Sequence, residues 1–150
     1  MKKIMILFIS LMVLGACSND DNAPVNSEVT HENQIYPLDQ ALYSSFESAF
    51  TYFEITDSQG GEHLVRVIFK QIDAMPDGTY TMHSTEDPDY DPEIHFAGGA
   101  LYPSFAVAPI SFASGTVKFS RSGANYKIVF DIETTQGSLN GTFIGPVSEQ

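Results

Sequence analysis

The chain has 150 residues and a formal net charge of −12 at pH 7, and cysteine occurs once, at Cys17. An excess of carboxylates repels the phosphate backbone, so this composition disfavours nucleic-acid binding. A single cysteine excludes a disulfide within the chain, so the fold has to depend on core packing. The length suits one folded domain behind a leader.

The first sixteen residues, 1–16, have the organisation of a signal peptide. Lys2 and Lys3 make the start of the chain positive, and Ile4 to Leu14 form an apolar run of eleven residues. The run fits the apolar region of a signal peptide, and it is too short for a bilayer, which takes about 20 residues. Removal of this leader leaves a more acidic chain of 134 residues, with a formal charge of about −14.

The stretch Leu14-Gly15-Ala16-Cys17 resembles the bacterial lipobox, in which a leucine and two small residues precede a cysteine. The resemblance implies cleavage between Ala16 and Cys17, a diacylglyceryl group on the thiol, and a further fatty acid such as palmitate on the new N-terminus. Two or three acyl chains hold a protein on a membrane far longer than one. We therefore predict a lipid anchor at Cys17. A plain signal peptide followed by a chance cysteine is the alternative.

The segment Ser18-Asn19-Asp20-Asp21-Asn22 follows the anchor directly. It resembles the export signal of Bacteroidota surface lipoproteins, in which acidic residues after the lipidated cysteine direct the protein to the outer face of the outer membrane. The resemblance implies display at the cell surface, with an outer-membrane lipoprotein facing the periplasm as the alternative. A solvated tether explains the same residues more simply. We predict a lipidated cysteine and flexible acidic tether over 17–32, and a β domain over 33–147.

Apolar and polar residues alternate over much of the domain, which is typical of strands with one buried face. Thr51–Asp57 and Glu62–Gln71 flank a Ser-Gln-Gly-Gly turn and are predicted to form a hairpin, and Thr79–Ser84 is predicted as a further strand. Gln34–Phe50 is compatible with short strands or with a short helix. Strands are favoured there because the rest of the domain is β.

The C-terminal third carries the clearest alternation. Gly115–Arg121, Asn125–Glu133 and Ser138–Ile144 are predicted to form a three-stranded meander. Glu93–Phe112 is apolar but contains two glycines and two prolines, which predicts irregular, partly edge structure. Strands at this spacing, without a long helical pattern, predict an all-β fold, a single antiparallel β-sandwich or barrel-like domain.

Short motifs in this region are similar to those of small all-β Bacteroidota lipoproteins. They are Asp77-Gly78-Thr79-Tyr80 at a strand entry, Ser114-Gly115-Thr116-Val117, Ser122 through Ile128, and Gly137 through Gly145. The resemblance covers Thr51 to Gly145 together with the signal, and it implies a β fold and a place in the cell envelope. Its motifs are turn glycines and core aromatics, so it implies no activity and no functional residues.

Asp87, Asp89, Asp91 and Glu93 place carboxylates at alternate positions of one loop. Calcium takes six to eight oxygen ligands and favours such clusters. An EF-hand is rejected, because a proline stands where that loop needs glycine and a glycine where it needs the bidentate glutamate. A looser calcium site is one hypothesis, and a solvated acidic loop is the favoured one. No other cofactor is predicted.

His31, His63, His83 and His95 are scattered, and none of them forms the i, i+4 pair of a helical metal motif. His83 and His95 flank the acidic loop and could meet in space as a transition-metal pair. Surface histidines without a metal are the expected outcome, so no transition-metal site is predicted.

The sequence has no Gly-x-Ser-x-Gly elbow and no phosphate-binding glycine loop, and its one thiol, at Cys17, is predicted to carry lipid. Asp131 and Glu133 share a strand face, but that face is predicted to be solvated. No catalytic residue is therefore predicted. Tyr102, Phe105 and Phe112 would either line an exposed binding patch or pack in the core, and core packing is favoured.

The favoured function is that of a non-enzymatic, lipid-anchored envelope protein that binds or scaffolds an envelope protein, a glycan or a small ligand. A small envelope hydrolase and a lipocalin-like carrier are the alternatives. An acidic pocket containing His83 or His95 would favour the enzyme, a flat aromatic patch the binding protein, and a closed barrel with an open mouth the carrier.

Overall fold

The computed structural model describes residues 26–46, 50–57, 63–70, 72 and 74–149. The leader, Cys17 and the acidic cluster lie outside these residues, as does the turn between the first two predicted hairpin strands. The described residues form strands connected by turns and loops. In chain order the strands are β1 (Glu28–His31), β2 (Gln34–Pro37), β3 (Gln40–Phe46), β4 (Phe50–Thr56), β5 (Leu64–Lys70), β6 (Gly78–Met82), β7 (His95–Phe96), β8 (Gly98–Tyr102), β9 (Ile110–Ser122), β10 (Asn125–Thr134) and β11 (Gly137–Glu149).

Seven of these strands close a barrel in the order β11-β3-β4-β5-β8-β9-β10 and back to β11. Neighbours are antiparallel except for β3 and β11, which are parallel and share three residue pairs. The β1–β2 hairpin extends from β11, and β6 and β7 extend from β9. The predicted all-β, barrel-like domain is confirmed.

The barrel consists of two halves that meet along short seams. β3, β4, β5 and β8 form one half, and the β9–β10–β11 meander forms the other. The seams contain two residue pairs between β8 and β9 and three between β11 and β3. The predicted hairpin of β4 and β5 and the predicted meander are both confirmed.

A cluster of phenylalanines fills the interior. Phe53, Phe119 and Phe130 are at most 2% exposed, and the Phe119 ring centroid lies 5.0 Å from that of Phe53 and 5.8 Å from that of Phe69. Burying one such side chain stabilises the fold by about 1.5–3 kcal/mol. Because the two halves share few hydrogen bonds, this packing holds them together.

β9 changes neighbour partway along its length. Its first residues pair with β8, whereas Thr116 to Phe119 pair with β6. Gly115 lies between these two segments with a φ of +122°, and a Cβ there would collide with the main-chain carbonyl of Asp131. Only glycine satisfies both constraints, so this residue permits the close approach of β9 to β10.

The predicted tether is too long at its C-terminal end. Residues 28–31, assigned to the tether from their polarity, form β1, which pairs with β11 and buries Val29 completely. A Cβ on Gly141 would collide with the carbonyl of Glu28. The glycine therefore allows β1 to lie against β11, and this contact was not visible in the local sequence.

Strand pairing decides two further predictions. Residues Gln40 to Phe46 form a strand that pairs with β4 over seven residues, so the helix alternative is wrong. The expectation of irregular, edge structure in 93–112 is also wrong in part, because β8 lies between β5 and β9. Pro103 and Pro109 fall in the loop between β8 and β9, outside the ladder they would interrupt.

Among the described residues, no helix has the length and hydropathy required to cross a bilayer.

Candidate functional site

The acidic loop uses its carboxylates to fix its own turns. Asp87 Oδ1 accepts a hydrogen bond from the main-chain N–H of Asp89 at 3.0 Å, and Asp91 Oδ1 accepts one from Glu93 at 2.9 Å. All four predicted calcium ligands are exposed. In the described part of the chain, no three histidine, cysteine or acidic side chains are arranged to hold a metal ion. The structure therefore does not bring Asp87, Asp89, Asp91 and Glu93 together as a calcium site.

His83 and His95 meet in the structure, which the sequence had left open because separate surface histidines were the expected outcome. Their rings stack with centroids 4.5 Å apart and an interplanar angle of 21°. His95 Nδ1 accepts a hydrogen bond from the main-chain N–H of Asp91 at 3.0 Å, and His83 Nε2 lies 3.3 Å from Asp87 Oδ2 in a geometry that makes no hydrogen bond. The pair closes the base of the acidic loop.

Tyr90 attaches the same loop to the barrel. Its hydroxyl accepts a hydrogen bond from the main-chain N–H of Lys70 at 3.2 Å and donates one to the carbonyl of His95 at 3.4 Å. Burial raises the pKa of the Tyr90 hydroxyl, and the hydrogen bond from Lys70 opposes part of that effect. The loop is therefore a docked structural element.

The other two histidines have structural partners. His31 is only 4% exposed, and its Nε2 lies 3.2 Å from Thr134 Oγ1, so the expectation of a surface histidine is wrong there. The reason is the inclusion of β1 in the sheet. His63 Nε2 lies 2.6 Å from the carbonyl of Pro37, and its ring meets the Tyr36 ring edge-on.

Asp131 and Glu133 are exposed on the outer face of β10, as predicted. Glu133 accepts a hydrogen bond from Ser138 Oγ at 2.8 Å. The two carboxylates belong to a solvated strand face.

The outer face of β4, β5 and β8 carries a cluster that the sequence did not single out, the tyrosine–arginine patch (Tyr52, Glu54, Arg66 and Tyr102). The Arg66 guanidinium carbon lies 5.6 Å from the ring centroid of Tyr52 and 5.3 Å from that of Tyr102. Arg66 Nε donates to Glu54 Oε1 at 2.8 Å, and Nη1 donates to the Tyr102 hydroxyl at 3.3 Å. The guanidinium is therefore held in one orientation between two aromatic rings.

The patch remains open to solvent. The side chains of Arg66 and Glu54 are 33% and 25% exposed. Cross-strand pairing places Leu42, Glu54, Arg66 and Ala100 in one row over four strands. In the sequence, Glu54 and Arg66 alternate with core residues of their strands. That alternation is the signal that could have indicated that both side chains point outward.

The three aromatic residues of the predicted patch have separate positions. Phe112 is 5% exposed in the core, Tyr102 belongs to the tyrosine–arginine patch, and Phe105 is 71% exposed in the following loop. Val107 in that loop is 57% exposed. The prediction of core packing is therefore confirmed for Phe112 alone. The loop 103–109, which contains Phe105 and Val107, follows Tyr102 directly in the chain.

The chain matches no protein-family model, no curated protein and no solved structure. Its function has to be inferred from its own surfaces.

Proposed function

We propose that this protein is a lipid-anchored lipoprotein of the outer membrane, displayed at the cell surface, with a non-enzymatic binding role. The anchor is the lipid on Cys17, and the binding surface is the tyrosine–arginine patch with the adjoining loop 103–109. The observation that carries the binding role is Arg66, held between two tyrosine rings on an open sheet face.

The composition of this surface favours a protein partner. Tyrosine and arginine are enriched among the residues that contribute most to binding at protein interfaces. Arg66 is already oriented by Glu54 and Tyr102, so less side-chain entropy is lost on binding. The exposed Phe105 and Val107 add apolar area beside it.

The alternatives receive less support. A lipocalin-like carrier needs an interior cavity, whereas Phe53, Phe119 and Phe130 fill the barrel. A hydrolase would be supported by carboxylates converging on His83 or His95 in a pocket. Those histidines instead close an exposed loop whose carboxylates accept main-chain hydrogen bonds.

The position of β1 sets how far the domain can stand from the anchor. Ten residues separate Cys17 from Glu28. Fully extended, they reach at most about 35 Å. A binding surface on such a tether meets partners close to the membrane.

Photo-crosslinking on whole cells tests the binding surface. A photoreactive residue at Ile68, on the patch face, should give a discrete crosslinked product, whereas the same residue at the exposed Lys127 should not. Adding Arg66→Gln should reduce the Ile68 product at least tenfold, and adding Lys118→Gln, which removes an exposed cation elsewhere, should leave it unchanged. Equal products from both positions, or no effect of Arg66→Gln, would contradict the proposed surface.

A further inference from the structure

Two opposite charges stand at one end of the barrel, at interior-facing positions. On β9 the inward series Val117, Phe119 ends with Arg121. On β11 the inward series that contains Val147 ends with Glu149. Strand alternation thus directs both charged side chains to the mouth of the barrel, where the apolar core gives way to solvent.

An open cavity of about 210 Å³ lies at this mouth, lined by Arg121, Glu149, Tyr43, Met75 and Tyr126 among others. A second cavity, of about 440 Å³, is also lined by Met75. Tyr43, Met75 and Tyr126 contribute apolar side-chain surface to the smaller cavity, and Arg121 and Glu149 contribute one positive and one negative charge to its lining. Small-ligand sites often occur at barrel mouths, where a few placed polar groups orient a ligand that also contacts apolar side chains.

Both charged groups are available to a ligand. Arg121 Nε donates to the carbonyl of Gly123 at 3.2 Å, and its guanidinium carbon lies 5.8 Å from the Tyr126 ring centroid. Among the described residues, neither Arg121 nor Glu149 takes part in an ion pair. A guanidinium has five N–H donors, so the terminal groups of Arg121 remain free to bind a carboxylate.

We propose that this cavity binds a small zwitterion of the α-amino acid type with an apolar side chain. The ligand carboxylate binds Arg121, the ammonium group binds Glu149, and the apolar side chain packs against Met75 and the tyrosines. The site lies on other residues than the tyrosine–arginine patch, so it goes beyond the proposed function and does not depend on it.

The charges of the cavity select against simpler ligands. A monoanion would meet Glu149 and the field of a protein with a net charge of −12, whereas a monocation would meet Arg121. A zwitterion satisfies both groups and carries no net charge. The flexible Met75 side chain can adjust to side chains of different shape.

Calorimetric titration of the purified full-length protein with L-leucine, L-methionine and L-phenylalanine tests the site. Phenylalaninamide, which lacks the carboxylate, and N-acetylphenylalanine, which lacks the ammonium group, are the matched probes. We expect at least one of the three amino acids to bind. If phenylalanine binds, its two derivatives should bind at least tenfold more weakly than phenylalanine itself. For another accepted amino acid, its own amide and N-acetyl derivatives take their place.

Variants then assign each charge. Arg121→Gln should weaken the amino acid at least tenfold and abolish its advantage over the amide, and Glu149→Gln should abolish its advantage over the N-acetyl form. Lys118→Gln and Asp131→Asn, at exposed positions on β9 and β10, are controls that should change nothing. Because all four residues are exposed, circular dichroism should show an unchanged fold. The absence of binding by all three amino acids, or binding that either cavity variant leaves intact, would overturn the proposal.

Discussion

The two halves of the barrel differ from the seams that connect them. Within the meander, β10 forms ten residue pairs with β11 and ten with β9, all antiparallel. The seams have two pairs between β8 and β9 and three parallel pairs between β11 and β3. Hydrogen-bond ladders therefore stabilise each half, whereas the phenylalanine core joins the halves. Changes to the core, to a seam and to the periphery should have distinct effects.

The largest effect should follow Phe119→Ala. Phe119 lies in the meander, and its ring packs on Phe53 and Phe69 of the other half and on Tyr80. Truncating a buried phenylalanine costs about 3–5 kcal/mol, so we expect a loss of this size in the free energy of unfolding, measured by chemical denaturation. Phe105→Ala, at a residue 71% exposed, should change it little. Similar losses from the two variants would contradict the role of Phe119 in joining the halves.

Deleting residues 147–150 should weaken one seam specifically. It removes the three pairs between β11 and β3 and the partly buried Val147, and burial of a valine stabilises by about 1.5 kcal/mol. We expect faster amide hydrogen exchange in β3, with β10 still protected. Deleting only Gln150 is the control. If β3 and β10 lose protection equally, the halves do not behave as separate ladders.

Gly141→Ala should release β1. The added methyl group would collide with the carbonyl of Glu28 and with Val29, and overpacking of this kind costs about 1–3 kcal/mol. The NMR signals of His31, the buried last residue of β1, should shift toward those of an exposed histidine. Asn140→Ala, at the exposed neighbouring position, should leave them unchanged. A buried His31 in the Gly141 variant would refute this account of β1 docking.

Tyr90 gives a smaller effect with a defined pH dependence. Burial raises the pKa of Tyr90 above that of the unfolded chain, so its neutral form stabilises the fold. That contribution is fully present below about pH 10, the unfolded value, and is lost as pH rises through the folded pKa. Tyr90→Phe should lose about 0.5–1.5 kcal/mol at pH 7 with the hydrogen bond from Lys70.

In the same variant, the free energy of unfolding should also decrease less steeply as pH rises above 10. Chemical denaturation at several pH values measures this. Burial also raises the pKa of Tyr36, which this variant keeps. Part of the decrease in the free energy of unfolding at alkaline pH should therefore remain. An unchanged alkaline slope in Tyr90→Phe would show that the pKa of Tyr90 is the same in the folded and the unfolded chain, contrary to the raised value.

Cys17→Ala should leave folding unchanged, because Cys17 lies outside the described domain, which begins at residue 26. It should abolish fatty-acid labelling and retention in the membrane fraction, with an unaltered unfolding midpoint. Replacing Asp20 and Asp21 by alanine, with Cys17 kept, should reduce access of external protease on whole cells. Labelling of the Cys17 variant would refute the lipid anchor, and unchanged protease access would refute the export signal.

The sequence predicted the parts of the fold that depend on local alternation. β4, β5 and the meander could be predicted because each alternates apolar and polar residues next to a turn, and their pairing confirms them. β1 was missed because its polar residues become part of the sheet only through Gly141, far along the chain. β8 was obscured by glycines and by prolines that fall in its loop.

The candidate sites were harder to predict than the strands. Tyr52, Arg66 and Tyr102 belong to three strands, and only the cross-strand register brings them together. The acidic loop was a calcium-site hypothesis because its carboxylates are close in sequence. In the structure, Asp87 and Asp91 instead accept hydrogen bonds from main-chain N–H groups of the same loop. The contact between His83 and His95 was only an alternative in the sequence, where they flank one loop, and separate surface histidines were the expectation.

Composition and alternation were sufficient for the all-β class, the main core positions, the absence of a disulfide and the acidic surface, because these depend on single residues or on near neighbours. Closure of the barrel was decided by tertiary contacts. Ala41 and Val147 pair although more than a hundred positions separate them. The backbone alternates with a period of two whatever its partner is, whereas the choice of partner depends on packing between remote segments. That choice also placed Arg121 and Glu149 at one mouth of the barrel.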